Sequence, residues 1–148
     1  LNTGLGFETI LQYRFMPFTS VYGGWGYSHF NANESFAGSY IDFEQTGYIL
    51  GLQFKQQIGN SPVSYFVRAG ALYSHIETEN NNGEIISDTG HGLGYQVAGG
   101  IEVSFGKNWS LAPGLKYNSL SRETELNGAN YQLDHRYVAA RIGLIKRF

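Results

Sequence analysis

The sequence predicts an all-β protein, an antiparallel up-and-down β-barrel that crosses a membrane with its strands. Three observations predict it. Apolar residues recur with a period of two along most of the chain, the mark of a strand with two unlike faces. Short turns alternate with long polar connections, as they do where hairpins run round a barrel. On the apolar face, aromatic residues gather at two levels about eight residues apart, with aliphatic residues between.

Each strand follows from its own alternation. In "GFETILQYRF", Phe7, Thr9, Leu11, Tyr13 and Phe15 share a face against Glu8, Ile10, Gln12 and Arg14. "SVYGGWGYSHF" (20–30) alternates more weakly. "GYILGLQFKQ" sets Tyr48, Leu50, Leu52 and Phe54 against Ile49, Gly51, Gln53 and Lys55. "VSYFVRAGALYS" sets Val63, Tyr65, Val67, Ala69, Ala71 and Tyr73 against Phe66, Arg68, Gly70 and Leu72. "LGYQVAGGIEVSF" sets Leu93, Tyr95, Val97, Ile101, Val103 and Phe105 against Gln96, Ala98, Gly100 and Glu102. "WSLAPGLKY" sets Trp109, Leu111, Leu115 and Tyr117 against Ala112, Gly114 and Lys116, with Pro113 predicting a bulge or local break. The last segment groups Val138, Ala140, Ile142, Leu144 and Phe148.

The turns "MPFT", "IGNSP" and "GKN" are short, whereas 31–46, 76–90 and 119–135 read as long polar loops. One aromatic ring holds Phe15, Phe54, Tyr65, Phe105, Trp109 and Phe148 beside the short turns; the other holds Phe7, Tyr48, Tyr73, Tyr95 and Tyr117. Eight strand residues span roughly 26 Å. Tilted by about 40°, that is roughly 20 Å of height, close to the apolar band of an outer-membrane barrel. A soluble barrel would carry many charges on its outer face. Here the face opposite the apolar one is Gly, Ala, Ser, Gln and single charges, which suits a narrow lumen.

Composition narrows the functions. The 148 residues carry a formal charge of −2, which gives no reason to expect nucleic acid. There is no cysteine, so thiolate metal sites, disulfides and cysteine nucleophiles are excluded. No phosphate-binding loop, calcium-loop spacing or metal-ligand cluster is visible, and no cofactor is expected. The inward charges Glu8, Arg14, Lys55, Arg68, Glu102, Lys116 and Arg141 must pair, because unpaired buried charge is costly. Strand order leads us to expect Glu102 to bond Arg68 or Lys116 and plug the lumen; a narrow pore is the alternative. "YSHF" and "YSHI" place Ser28–His29 and Ser74–His75 side by side, hence on opposite faces and badly arranged as nucleophile and base. "LDHR" offers Asp134–His135 without an obvious serine. Acidic residues such as Glu34, Glu44, Glu77, Glu84 and Glu123 crowd the long connections.

This pattern resembles the small bacterial outer-membrane β-barrel superfamily, typified by OmpX, the OmpA barrel and the opacity proteins. The resemblance implies an eight-stranded barrel, an outer-membrane location, extracellular long loops and a periplasmic C-terminus. Arg141, Gly143 and the terminal Phe148 resemble the signal read by the barrel-assembly machinery; Lys146 departs from it, where an apolar residue is usual. Seven strands are readable in a single domain, 1–148, so a first strand is expected to be missing from this sequence. Lipopolysaccharide and a protein partner at the loops are the expected contacts, and a structural, adhesive or partner-binding role the expected function. Some barrels of this kind are lipid A deacylases, which keeps a lipid hydrolase as the second reading.

Overall fold

The computed structural model describes residues 4–31, 42–79, 85–88, 90–126 and 129–148. The strands are β1 (Gly4–Arg14), β2 (Thr19–Asn31), β3 (Asp42–Gln57), β4 (Val63–Glu79), β5 (Ile85–Asp88), β6 (Gly92–Phe105), β7 (Trp109–Leu126) and β8 (Ala129–Lys146). They pair antiparallel in the order β1-β2-β3-β4-β6-β7-β8, with the short β5 hydrogen-bonded to the end of β4. Seven up-and-down strands thus curl round a common interior.

Alternation sets the two faces. Leu11, Leu50, Leu93, Leu115, Val138 and Ile142 are exposed on the outside. Tyr22, Ile49, Phe66, Leu72 and Leu120 are buried inside, among Gln53, Gln96 and Asn118. The interior is therefore mixed, with large apolar side chains among the small and polar ones. Their neighbours make room. Gly51, Gly70, Gly94 and Gly100 each lie against a bulky inward side chain, Tyr22, Leu120 or Phe66.

The short connections are tight. Gly59 and Gly106 adopt φ of 57° and 62°, a left-handed conformation that costs a residue with a Cβ. Phe15 and Met16 amides both reach the Thr19 carbonyl.

The long connections are shorter than expected. β7 and β8 pair from Trp109↔Lys146 to Leu126↔Ala129, so 119–135 is nearly all hairpin rather than loop. β3 begins at Asp42 and β4 runs to Glu79, and β5 occupies part of 76–90. Beyond the apolar band both faces of a strand are polar, so alternation fades although pairing continues. Most of 31–46 lies outside the described residues.

Pro113 produces the local break and not the bulge. The register to β8 runs straight through Pro113↔Ile142, and on the other side only the pairs opposite Pro113 and Ala112 drop out between Gly100↔Gly114 and Val103↔Leu111. Proline has no amide hydrogen to give, and the strand absorbs that locally without changing register.

Among the described residues β1 pairs only with β2, and β8 only with β7. With seven alternating strands, β1 and β8 run in the same sense. A cleft of about 1070 Å³ opens between them and reaches across the interior to Lys55, Arg68, Glu102 and Lys116.

Candidate functional site: the interior network and the outer rings

Two carboxylates organise the interior. Glu8, on β1, accepts hydrogen bonds from Lys116 and from Gln96 Nε2 at 3.2 Å, and its second oxygen lies 3.8 Å from Arg141. It thus reaches β6, β7 and β8 across the lumen. Glu102, on β6, is buried and accepts two bonds from Lys55 Nζ, each 3.1 Å, and one from Arg147 Nη2 at 2.5 Å. The same Arg147 nitrogen donates to Ser104 and Ser110, and the Arg147 amide donates to the Asn108 carbonyl, all at the short-turn end.

This corrects the expected pairing of Glu102 with Arg68 or Lys116. Both of those residues lie opposite Ala98, four residues along β6 from Glu102. Four strand residues span roughly 13 Å, too far for an ion pair. Lys55 stands opposite Phe66, which stands opposite Gly100, one inward step from Glu102. Neighbouring order in the chain says which strands touch, and register says which residues meet.

Arg14 departs from the expected network as well. It is exposed at the end of β1, on the wall of the cleft, with no carboxylate partner among the described residues. Arg147 is the member the sequence reading missed. Its signal was available, since it is in phase with the inward Arg141 and Gly143.

Arg68 has a different environment. Its Nε donates to Gln53 at 2.6 Å, and its guanidinium lies 5.3 Å from the Tyr22 ring centre and 5.2 Å from that of Phe66. Further towards the long connections, Asn118 donates to the Tyr137 hydroxyl at 2.5 Å, which donates to Gln45 at 3.1 Å.

Outside, all the ring aromatics lie on the surface. Beside the short turns, Phe15, Phe54, Tyr65, Phe105, Trp109 and Phe148 are exposed, and Lys146 lies over the rings of Trp109 and Phe148 at 5.5 and 5.2 Å. At the other level Phe7, Tyr48, Tyr73 and Tyr95 are exposed and Tyr117 is half-buried, 6.1 Å from Tyr95. Trp25 and Tyr27 join this ring through Phe7, at 5.5 and 5.9 Å. The glycines around them blur the alternation of β2 and hid them from the sequence reading.

Just beyond that ring the polar groups begin. Glu44 accepts from Tyr27 at 2.5 Å and lies 3.3 Å from His29; His75 lies 3.1 Å from Glu77 and 3.3 Å from His91. The serines next to these histidines are inside. Ser28 bonds Tyr137 and Ser74 is buried, so neither meets its neighbouring imidazole. Asp134 and His135 have side chains outside the described residues. Among the described residues no group of three His, Cys, Asp or Glu is placed to hold a metal.

The structure superposes on the crystal structure of Neisserial surface protein A with a TM-score of 0.66 over 97% of this chain and 84% of that one, at 16% identity. That neighbour is an eight-stranded outer-membrane β-barrel. The chain has the fold of the small outer-membrane β-barrels. No protein-family model and no curated relative matches it. In such a fold the rings face outward and the charged network faces the lumen, as the side chains do here. The Arg141, Gly143 and Phe148 positions fall on β8 and just past its end, with Arg141 on the lumen wall and Phe148 fully exposed.

Proposed function

We propose that this chain is the membrane-spanning body of a small bacterial outer-membrane protein, non-enzymatic, with a structural, adhesive or partner-binding role carried at its long-connection end. The observation that carries the reading is its inverted polarity. Aliphatic and aromatic side chains cover the outside between two rings, while Glu8, Arg68 and Glu102 are inside. Exposed apolar surface on this scale needs a covering, and a lipid bilayer supplies one with the right height.

The short turns and Phe148 then face the periplasm and the long connections face outward, against lipopolysaccharide and a protein partner. Arg141, Gly143 and Phe148 serve the assembly machinery during insertion. In lipid, the free edges of β1 and β8 would each leave backbone groups unsatisfied, at several kcal/mol per group. One further strand, antiparallel to both, completes an eight-stranded ring, and we place it in the cleft.

Gel migration tests the membrane reading. Folded in detergent micelles, the protein should migrate differently before and after boiling; identical migration in both lanes would remove the reading. Protease added to intact cells should cut only within the long connections. A cut confined to "IGNSP" would reverse the orientation.

A further inference from the structure

The interior carries more positive charge than its carboxylates balance. Arg14, Lys55, Arg68, Lys116, Arg141 and Arg147 line the cleft, with Lys146 at its outer rim, and among the described residues Glu8 and Glu102 are the side-chain carboxylates on it. Glu102 holds Lys55 and Arg147, while Glu8 holds Lys116 and draws Arg141 to 3.8 Å. Arg14 and Arg68 are left over among the described residues; Arg14 is exposed at the end of β1, whereas Arg68 is the deepest of these cations, with 3% of its surface exposed.

Arg68 is held as if for a ligand. Gln53 fixes its Nε, and the Tyr22 and Phe66 rings flank its guanidinium plane. Its Nη1 is buried and makes no hydrogen bond among the described residues; Arg141 Nη1 makes none either, though it lies 3.8 Å from Glu8. Both residues line the same cleft. Ring contacts of this kind are weaker than the cost of leaving a buried charge without a counter-charge, so the rings alone do not offset it. Two guanidinium groups on the wall of one cleft, each with an N–H that lacks a hydrogen bond, match the paired oxygens of an oxyanion.

We propose that one oxyanion group, of the carboxylate or phosphate type, sits in this cleft against Arg68 and Arg141. Two sources could supply it: a free ion such as inorganic phosphate, or an acidic side chain carried into the cleft by the strand that closes it.

Thermal unfolding in detergent micelles, followed by far-ultraviolet circular dichroism, separates these. Wild-type protein and Arg68→Met are compared in inorganic phosphate and in chloride of equal ionic strength. If the ion is free, phosphate raises the wild-type midpoint, and Arg68→Met weakens the apparent phosphate affinity by about tenfold or more, as expected for losing a charge-assisted pair. If the group is a side chain, phosphate does nothing and Arg68→Met lowers the midpoint. The proposal is overturned if phosphate does nothing and Arg68→Met unfolds at the same or a higher temperature, because removing an uncompensated buried cation stabilises. It is equally overturned if phosphate raises both midpoints alike, which is the general effect of an excluded salt. Should Arg68→Met fail to refold, Arg68→Lys keeps the charge without the fork and must show the same loss of response or of stability.

Discussion

Gly51 and Gly70 stand directly opposite each other across β3 and β4, and the Tyr22 hydroxyl approaches both. A Cβ built on Gly70 would sit 2.7 Å from that oxygen, and one on Gly51 2.8 Å. The two glycines therefore make the recess in which the tyrosine lies, and β2, β3 and β4 are matched at this one level. Gly70→Ala should destabilise the barrel by about 1–3 kcal/mol, the usual cost of overpacking. The Tyr22 hydroxyl has no hydrogen-bond partner of its own. Tyr22→Phe should therefore cost little by itself and restore part of the loss in the double variant. Urea titration of refolded protein in micelles checks both steps; an additive double variant would show that the contact does not matter. Glu102 belongs to the same scale. Replacing it with Ala strands Lys55 and the end of β8 through Arg147, and should cost about 3–5 kcal/mol, the range for breaking a buried pair. Glu102→Gln keeps the hydrogen bonds in part and should cost less. Equal stability of Glu102→Ala and wild type would show that the bonds at the short-turn end do not stabilise the barrel.

β7 and β8 show what an element adds to its residues. They form the longest hairpin of the sheet, pairing without a register shift over all of 109–126. Amides of 119–126 and 129–135 that point into this ladder should therefore exchange slowly with deuterium, on the scale of the strand centres and not of loops. Exchange complete within seconds across these positions would return them to loop. The sequence made the lower half of this hairpin legible, because Trp109, Leu111, Leu115 and Tyr117 mark every outward position inside the apolar band. It left the upper half illegible, because Glu123, Thr124 and Glu125 are polar whichever way they point. Asn127–Gly128 is the one local signal for a tight hairpin there, and it is independent of polarity. The same division explains the site. Which residues face the lumen was readable from parity, and parity would have included Arg147. Which of them meet was not readable, since that depends on register, and register placed Glu102 one step from Lys55 rather than level with Arg68.

Whether the whole molecule conducts ions depends on what remains of the lumen once those pairs are made. Tyr22, Phe66, Leu120, Gln53, Gln96, Glu102 and Asn118 are fully buried inside. At the short-turn end Arg147 bonds Glu102, Ser104 and Ser110. The open volume is the cleft that opens between β1 and β8 and reaches Lys55, Arg68 and Lys116; with the proposed further strand the ring has eight, and an eight-stranded barrel has an interior just wide enough for side chains to fill. The purified protein in a planar bilayer should therefore show no steady, large conductance. Glu102→Ala combined with Arg147→Ala removes these bonds at the short-turn end but leaves Tyr22 and Phe66 in place, so it should give at most brief openings. Any such openings should favour anions, because Arg68, Lys116 and Arg141 then outnumber Glu8 along the path. A large, stable, cation-selective current from the unmodified protein would reject the plug and make the molecule a pore.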